Sequence, residues 1–265
     1  MKTKSWDVIL FRGLNISLIG FLLLPILIVI LFAFNAAEFI VFPPEGFSLR
    51  WFHKFFTDSD FMGSFYRSIK LALITVTVST VIGTMAAIAI VRGKIVGAKF
   101  LNALFLSPLM LPAILTGLAL FQFYVIIEAG RTFWGLLIGH IVVTIPYVIR
   151  TSITVLHNFD ISIEEAAKNL GAGPWATFWY VTLPLIRPGV IAGSIFAFIV
   201  SFDQFPVSLF LVNPGEITLP IHLFNYLKYS FDPTVAAAST VSIAISVSVV
   251  LILEFTIGLQ EYVRL

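Results

Sequence analysis

The fold of this chain is decided by a polar segment near its middle, Ile163-Glu-Glu-Ala-Ala-Lys-Asn-Leu-Gly171, which is followed by Val181-Thr-Leu-Pro184. The segment forms a helix readily, but its charged side chains make burial in hydrocarbon too costly. Long apolar runs stand on both sides of it. We therefore predict a helix that lies outside the membrane and connects two membrane-spanning helices.

The ends of this helix carry sequence signals. Ser162-Ile-Glu-Glu165 predicts a capping box, in which the Ser162 hydroxyl accepts from the amide of Glu165 and the Glu165 carboxylate accepts from the amide of Ser162. Gly171 predicts the C-terminal stop, because glycine takes the left-handed conformation without steric cost. Pro174 predicts the first turn of the next helix.

The surface of the same helix combines a charge pair with small residues. Glu164 and Lys168 have the i, i+4 spacing of a surface ion pair. Ala166 and Ala167 lie at the centre of the helix and allow another surface to approach closely. Two interpretations stay open from these residues alone: a capped linker between two spans, or a helix that docks in a groove of a cytoplasmic partner.

The whole chain has the composition of an integral membrane protein. Of its 265 residues, 59% are hydrophobic and 11% are charged, whereas soluble domains carry about 25% charged residues. The absence of cysteine excludes disulfides and thiolate chemistry. A net charge of +2 from scattered basic residues gives no indication of nucleic acid as a partner. Six apolar stretches are long enough to cross a bilayer as helices, at residues 14–34, 66–91, 101–127, 133–155, 189–212 and 235–257.

The basic residues predict the orientation of these spans. By the positive-inside rule, both termini and the polar segment are cytoplasmic, because that side would carry Lys2, Lys4, Arg12, Arg92, Lys94, Lys99, Arg150, Lys168 and Arg187. A second basic group falls on the outer side and counts against the rule, namely Arg50, Lys54, Arg67 and Lys70. We predict an anchor helix with an outer loop over 1–65, a five-helix core over 66–257 with a cytoplasmic loop at 157–187, and a short cytoplasmic tail at 258–265.

The spacing within the polar segment resembles the "EAA" loop of bacterial ABC-importer permeases. That loop has Glu-Ala-Ala, a glycine four residues on, nine further residues and then Ile-x-Leu-Pro. Val181 stands where isoleucine is usual, and the remaining positions are filled by Glu165, Ala166, Ala167, Gly171, Leu183 and Pro184. Two further segments, Asn102–Pro112 and Ser201–Pro206, resemble the spermidine/putrescine permease group. The resemblance extends over about residues 14–257.

This resemblance implies a fold, a location and a set of partners. The fold is the all-α type I ABC-importer (MetI-like) permease fold, with six transmembrane helices in a bacterial inner membrane. The implied partners are a homologous second permease, two ATP-binding subunits, a periplasmic solute-binding protein and membrane lipid. ATP and Mg²⁺ belong to the ATPase partner, and no cofactor is expected in this chain. The residues implied to couple to the ATPase are Glu164, Glu165, Ala166, Ala167, Leu170, Gly171, Leu183 and Pro184.

The sequence supports a transport role without its own ATPase activity. No G-x-x-x-x-G-K-[ST] phosphate loop occurs, and Gly93-Lys94-Ile95 lacks both the upstream glycine and the hydroxyl residue. We expect neither catalytic residues nor a metal site, since His53, His140, His157 and His222 fall in separate segments. An isolated His140 predicts a helix-packing residue.

The solute path is predicted around one acid in the fifth span. Asp203 stands about 22 Å beyond the predicted cytoplasmic start of that span. Gln204 follows it, and Phe202 and Phe205 flank the pair, so an ammonium group would meet charge and aromatic faces together. Alternatively, Asp203 bonds to backbone that Pro206 frees and only shapes the helix.

Two further residues of the solute path are predicted in the third span. Gln122 and Tyr124 line the outer end of the third span. Polyamine permeases of this group often carry a second acid where this chain has Gln204. That departure favours a less charged solute, such as γ-aminobutyrate, 2-aminoethylphosphonate or an opine, over a multiply charged amine.

The alternative function is an ATP-independent secondary transporter or channel. A carrier of that kind usually shows an internal repeat and charged residues along several spans, and we find neither in the sequence. An integral-membrane enzyme would need titratable groups clustered at one depth, which the sequence also lacks.

Overall fold

The structure, a computed structural model, describes residues 5–93 and 95–257. Within these ranges it is helical with no β-strand, and one isolated bridge joins Asn35 and Phe47. The prediction of an all-α protein is confirmed. Lys2, Lys4, Lys94 and the predicted tail at 258–265 lie outside the described residues.

The helices of the described chain follow one another with short connections. In order they are α1 (Ser5–Ala33), α2 (Arg50–Thr57), α3 (Ser59–Arg92), α4 (Ala98–Met110), α5 (Ala113–Ile126), α6 (Phe133–Asn158), α7 (Ser162–Asn169), α8 (Pro174–Thr177), α9 (Leu183–Phe202), α10 (Phe205–Leu211), α11 (Leu219–Leu227) and α12 (Thr234–Ile257). A π-helical turn, Phe178–Thr182, joins α8 to α9.

Five described helical stretches are long and apolar enough to cross a membrane, and a sixth span results if the bent pair α4–α5 is counted as one. This agrees with the predicted number, but two predicted boundaries are wrong. The stretch 101–127 is not one straight helix, because α4 and α5 meet at an angle of 107°. Leu111 is extended (φ −94°, ψ 140°), as sterics require of a residue before proline.

The fifth predicted span, 189–212, is also misplaced. The apolar helical stretch there is Pro174–Phe202, and it ends at Phe202. Gln204 is extended and α10 begins after it, with Pro206 in its first turn. The misplacement arose because the apolar residues continue across this break, so that composition alone does not reveal it.

The chain divides into two compact units. Of the described residues, one unit contains those through Met62 together with Leu223–Val247, and the other contains those between Gly63 and His222 and those from Ser248 onward. The division predicted from the sequence, with a boundary after residue 65, stays a prediction.

In the first unit, polar side chains hold the segment between α1 and α3. The indole nitrogen of Trp51 donates to the backbone oxygen of Asn35 at 2.8 Å. Lys54 forms an ion pair with Asp232 at 2.6 Å, and the hydroxyl of Tyr226 donates to the same carboxylate at 2.8 Å. Burial would lower the pKa of Lys54, but its hydrogen bonds to Asp232 and Tyr226 raise it overall. Burial would raise the pKa of Asp232, but its hydrogen bonds with Lys54, Thr234 and Tyr226 lower it overall. Both shifts favour the charged forms of Lys54 and Asp232 at neutral pH.

In the second unit, α3, α6 and α9 meet around the buried Val148 of α6. A Cβ atom added at Gly193 of α9 would lie 2.6 Å from the Cα atom of Val148. One added at Gly83 of α3 would lie 2.8 Å from its Cβ atom. Hydroxyl pairs lie nearby in the same helices, with Thr80 and Ser194 at 2.7 Å. Small residues of this kind let membrane helices pack backbone to backbone.

We predict that Gly193→Ala destabilises the protein by about 1–3 kcal/mol, because the new methyl group would overlap the backbone of Val148. The thermal unfolding midpoint of the detergent-solubilised chain measures this effect. The matched control is Gly20→Ala in α1, where an added Cβ meets nothing within 4 Å. Equal midpoints for the two variants would contradict the close packing.

Candidate functional site

The N-terminus of α7 is capped differently from the prediction. The Asp160 carboxylate accepts from the Ser162 amide at 2.9 Å, and the Glu165 amide donates to the backbone oxygen of Ile161 at 3.1 Å. The predicted capping box between Ser162 and Glu165 is therefore wrong. Asp160 occupies the turn two residues earlier, where a short carboxylate side chain competes well for the free amide. The hydrogen bond from the Ser162 amide lowers the pKa of the exposed Asp160 carboxyl.

The C-terminus of α7 ends as predicted. Gly171 has φ +90°, its amide donates to the Lys168 oxygen at 2.9 Å, and the Ala172 amide donates to the Ala167 oxygen at 3.0 Å. These two bonds form a Schellman motif, which satisfies the last carbonyl groups of the helix. Pro174 begins α8, as its position predicted.

Glu164 faces the inside of the chain. It is only 5% exposed, and the Thr182 hydroxyl donates to its Oε1 atom at 3.0 Å. Its Oε2 atom lies 3.5 Å from the Nε atom of Arg92. The predicted surface pair of Glu164 with Lys168 is wrong, because Glu164 is on the buried side of α7.

Arg92 joins this contact to the long helices. It is the last residue of α3, and its Nη2 atom donates to the backbone oxygens of Leu156 and Phe159 at 3.3 and 3.4 Å. Leu156 belongs to α6 and Thr182 immediately precedes α9. Glu164 and Arg92 together therefore anchor α7 to the ends of three long helices. One signal in the sequence indicated Arg92, because it is a basic residue at the predicted cytoplasmic end of a span.

The opposite face of α7 is open to a partner. Glu165 and Ala166 are exposed, and Leu170 is 90% exposed. Gly171 and Pro184 are also exposed, while Ala167 and Leu183 are half-buried. Of the predicted coupling residues, Glu164 is the buried member and acts inside this chain. The assignment of the set to ATPase coupling stays a prediction.

Asp203 lies at the end of α9, as its C-cap. Its side chain is exposed, and its amide donates to the Ile199 oxygen at 3.1 Å. The uninterrupted apolar helix begins at Pro174, so Asp203 is roughly 40 Å from its start rather than 22 Å. The helix starts earlier than its apolar residues indicated, and the depth of Asp203 in the membrane stays a prediction.

The neighbours of Asp203 do not share its exposure. Phe202 and Gln204 are 3% and 7% exposed, and the Phe202 ring stacks on Phe198 at 5.7 Å between centroids. Phe205 is half-buried. The expected pair of aromatic faces beside the acid is therefore not formed at Phe202, whose ring is packed inside the second unit.

The two path residues predicted in the third span now lie in α5. Gln122 is exposed, whereas Tyr124 is buried and its hydroxyl donates to the Gly135 oxygen at 3.0 Å. Tyr124 thus has a structural bond that the sequence did not indicate. The assignment of all six residues to a solute path stays a prediction.

His140 connects the two sides of the break between α9 and α10. Its Nδ1 atom is 2.9 Å from the Ser201 hydroxyl and its Nε2 atom is 3.0 Å from the Ser208 hydroxyl. The prediction of a helix-packing histidine is confirmed. Within the described ranges, no group of three or more potential metal ligands of the His, Asp and Glu types comes together.

We predict that Glu164→Gln loosens α7 locally. The glutamine keeps the size and the bond to Thr182 but leaves the Arg92 guanidinium without its charge partner, a loss of about 2 kcal/mol. Hydrogen exchange of the α7 amides should speed up by roughly 30-fold. Glu165→Gln on the exposed face is the control and should leave exchange unchanged. Equal protection in both variants would show that the buried pair does not anchor α7.

The sequence of this chain is similar to those of known transport proteins. Residues 79–263 match the family described as "Binding-protein-dependent transport system inner membrane component". Over 239 residues, the chain is 29% identical to the spermidine/putrescine transport system permease protein PotC of Escherichia coli strain K12, covering 90% of each protein. It is 32% identical over 234 residues to the putrescine transport system permease protein PotI of the same strain, covering 85% of this chain and 83% of that protein.

Solved structures show the same fold. A chain of a bacterial ABC transporter involved in the import of the acidic polysaccharide alginate matches with a TM-score of 0.66 and 20% identity over 99% of both chains. A chain of the MetNI methionine ABC transporter in an inward-facing conformation matches with a TM-score of 0.57 and 16% identity, over 73% of this chain and 90% of that one. These likenesses confirm the MetI-like permease fold, while the family match and the permease relatives confirm the multi-pass inner-membrane location. The chain belongs to the family of inner-membrane permease components of binding-protein-dependent ABC importers.

Proposed function

We propose that this chain is the transmembrane permease subunit of an ATP-driven importer for a small amine-bearing solute. In this proposal, α7 docks on a cytoplasmic ATPase and transmits its motion to the spanning helices, which then alternate between outward and inward access. The proposal extends to the orientation, with both termini and α7 in the cytoplasm. The observation that carries it is the two-sided character of α7, which is anchored inside and exposed outside.

The anchored side supports a mechanical role. A helix that transmits motion must be fixed to what it moves. The ion pair of Glu164 with Arg92 and the hydrogen bond that Glu164 accepts from Thr182 attach α7 to α3, α6 and the start of α9. The exposed side supports docking, because Ala166 is small and Leu170 offers an apolar side chain to a groove. Glu165 adds a charge at the centre of that face.

The partners follow from what the chain lacks and from its relatives. The sequence contains no phosphate loop, so ATP and Mg²⁺ are assigned to two ATP-binding subunits, and this chain is not itself an enzyme. One structural relative is an alginate transporter solved with its periplasmic protein. PotC and PotI are permeases of polyamine systems. From these relatives we propose two further partners for this chain, a homologous second permease subunit and a periplasmic solute-binding protein.

The solute class is inferred from relatives and from one residue. Two relatives are named for spermidine and putrescine, which are amines. Another relative is a sulfate permease of Chlamydomonas reinhardtii, so the solute differs among similar chains. Asp203 is an exposed acid at the end of α9, and a carboxylate there attracts an ammonium group. The proposed class includes the polyamines. Because Gln204 is buried and uncharged, we favour within it a solute with one amine, such as γ-aminobutyrate or 2-aminoethylphosphonate.

The test of coupling is Glu165→Ala in the reconstituted transporter. Glu165 makes no side-chain bond to the described part of its own chain, so α7 should stay folded while its contact with the ATPase is lost. We expect solute-stimulated ATP hydrolysis to fall roughly tenfold or more, as for a hot-spot contact. Glu38→Ala, an exposed acid in the segment between α1 and α2, is the control. Normal stimulated hydrolysis in Glu165→Ala would show that the segment is only a linker.

Uptake that persists when ATP hydrolysis is blocked would favour the ATP-independent alternative.

The test of the solute path is Asp203→Asn, which keeps the size of the side chain and removes its charge. If the carboxylate attracts the solute, uptake at low solute concentration should fall about tenfold, since charge-assisted contacts contribute about 1.5–3 kcal/mol. Assembly and basal ATP hydrolysis should persist. Asp60→Asn, at the exposed start of α3, is the control. Unchanged uptake at all concentrations would assign Asp203 to the shape of the helix end.

A further inference from the structure

A small cavity with a mixed polar and apolar lining lies in the second unit, near the end of α3 that is remote from Arg92. Its volume is about 80 Å³. The polar residues lining it are Arg67, Lys70, Glu216 and Thr218, and the remaining lining residues are Leu71, Phe133 and Leu136. None of these four polar residues belongs to the coupling segment or to the predicted solute path.

One hydrogen-bond donor of the cavity is buried without a partner. Thr218 is only 3% exposed, and its hydroxyl has no hydrogen-bond partner in the described part of the chain. A buried polar group left without a partner costs about 1–3 kcal/mol. Arg67 and Lys70 lie one turn apart on α3, and neither forms an ion pair with any residue that the structure describes. The Thr218 hydroxyl therefore lacks a partner, and the exposed Arg67 and Lys70 are not paired with an acid, among the described residues.

Two helix N-termini add positive potential to the same place. Phe133 is the first residue of α6, and Thr218 directly precedes Leu219, the first residue of α11. The N-terminus of a helix carries a partial positive charge and favours anions. Glu216 is the one acid in the lining, so the cavity offers several sites for an anion and one for a cation.

The position along α3 sets the depth of the cavity. Between Lys70 and Arg92 the helix rises roughly 33 Å, close to the 30 Å or so of the hydrocarbon layer. Arg92 contacts Glu164 of α7, the helix that we propose to lie in the cytoplasm. With that orientation, the cavity lies at the headgroup level of the outer leaflet.

We propose that this cavity binds a phosphate group whose substituent carries a primary ammonium. The phosphate oxygens accept from Arg67, Lys70 and the Thr218 hydroxyl, and the ammonium pairs with Glu216. The volume of about 80 Å³ exceeds the roughly 10–15 Å³ that a single water needs, so the cavity can take a small group such as a phosphate. This ligand chemistry occurs in the ethanolamine headgroup of a phospholipid and in soluble phosphoethanolamine. It also explains why Arg67 and Lys70 stand on the side of the membrane where the positive-inside rule disfavours them.

The test is native mass spectrometry of the full chain, purified in mild detergent and titrated with phosphatidylethanolamine. Thr218→Val should weaken binding by roughly tenfold, and Thr218→Ser should restore it. Because the hydroxyl has no partner in the chain, the valine removes no internal hydrogen bond, and an unchanged thermal midpoint confirms the fold. Arg67→Gln should weaken binding similarly. Arg131→Gln is the matched control. Arg131 lies just before α6, stacks on the Phe121 ring and does not line the cavity.

Selectivity tests the role of Glu216 and the source of the ligand. Glu216→Gln should weaken binding of phosphatidylethanolamine and strengthen that of phosphatidylglycerol, which has no ammonium. Displacement of the bound lipid by soluble phosphoethanolamine would identify a site that also takes the free compound, and resistance to it would identify a lipid site. Unchanged lipid binding in Thr218→Val and Arg67→Gln, or an equal loss in Arg131→Gln, would overturn the proposal. These readouts measure binding directly and do not depend on transport.

Discussion

The close approach of α3, α6 and α9 around Val148 is the constraint on which the rest of the second unit depends. In a bilayer, helices gain little by leaving lipid for one another, so their association rests on packing and on hydrogen bonds between helices. Gly83 and Gly193 let the backbones meet, and the hydroxyl pair of Thr80 with Ser194 adds polar attraction. Since α3 and α6 are fixed there, their ends are fixed too, which brings Arg92 to the last carbonyl groups of α6.

This contact between the ends of α3 and α6 explains how α7 can be held firmly in place and still expose one face to a partner. Arg92 is already held by the oxygens of Leu156 and Phe159, so it presents its remaining positive charge to Glu164. A partly buried ion pair of this kind is costly to break from one side. Motion applied to the exposed face of α7 would therefore reach three long helices through one contiguous set of contacts, which is the physical requirement for coupling between distant sites.

Much of this architecture is predictable from the sequence, and the failures have physical causes. Gly171 and Pro174 were predicted correctly because their backbone requirements are local. The burial of Glu164 was missed because the face of α7 that turns inward depends on Arg92, a residue 72 positions away. The capping box failed because Asp160, outside the motif, competes for the same amide. The stretch 101–127 was predicted as one span, because the sequence does not show whether a proline within an apolar run bends a helix or ends it.

The break after α9 shows how irregular backbone is tolerated within an apolar region. Non-helical backbone within an apolar region needs hydrogen-bond partners from the protein, and the amides of Asp203 and Gln204 donate to the backbone oxygens of Ile199 and Ser201. His140 joins the two sides of the break through the hydroxyls of Ser201 and Ser208. The break leaves Asp203 exposed while Gln204 turns inside. Thr182, which bonds Glu164, immediately precedes α9, and Asp203 immediately follows it. A single helix of about 30 Å therefore joins the anchor of the proposed coupling segment to the acid of the proposed solute path. Any tilt of α9 driven from α7 would displace Asp203, so the two proposed sites share one rigid element.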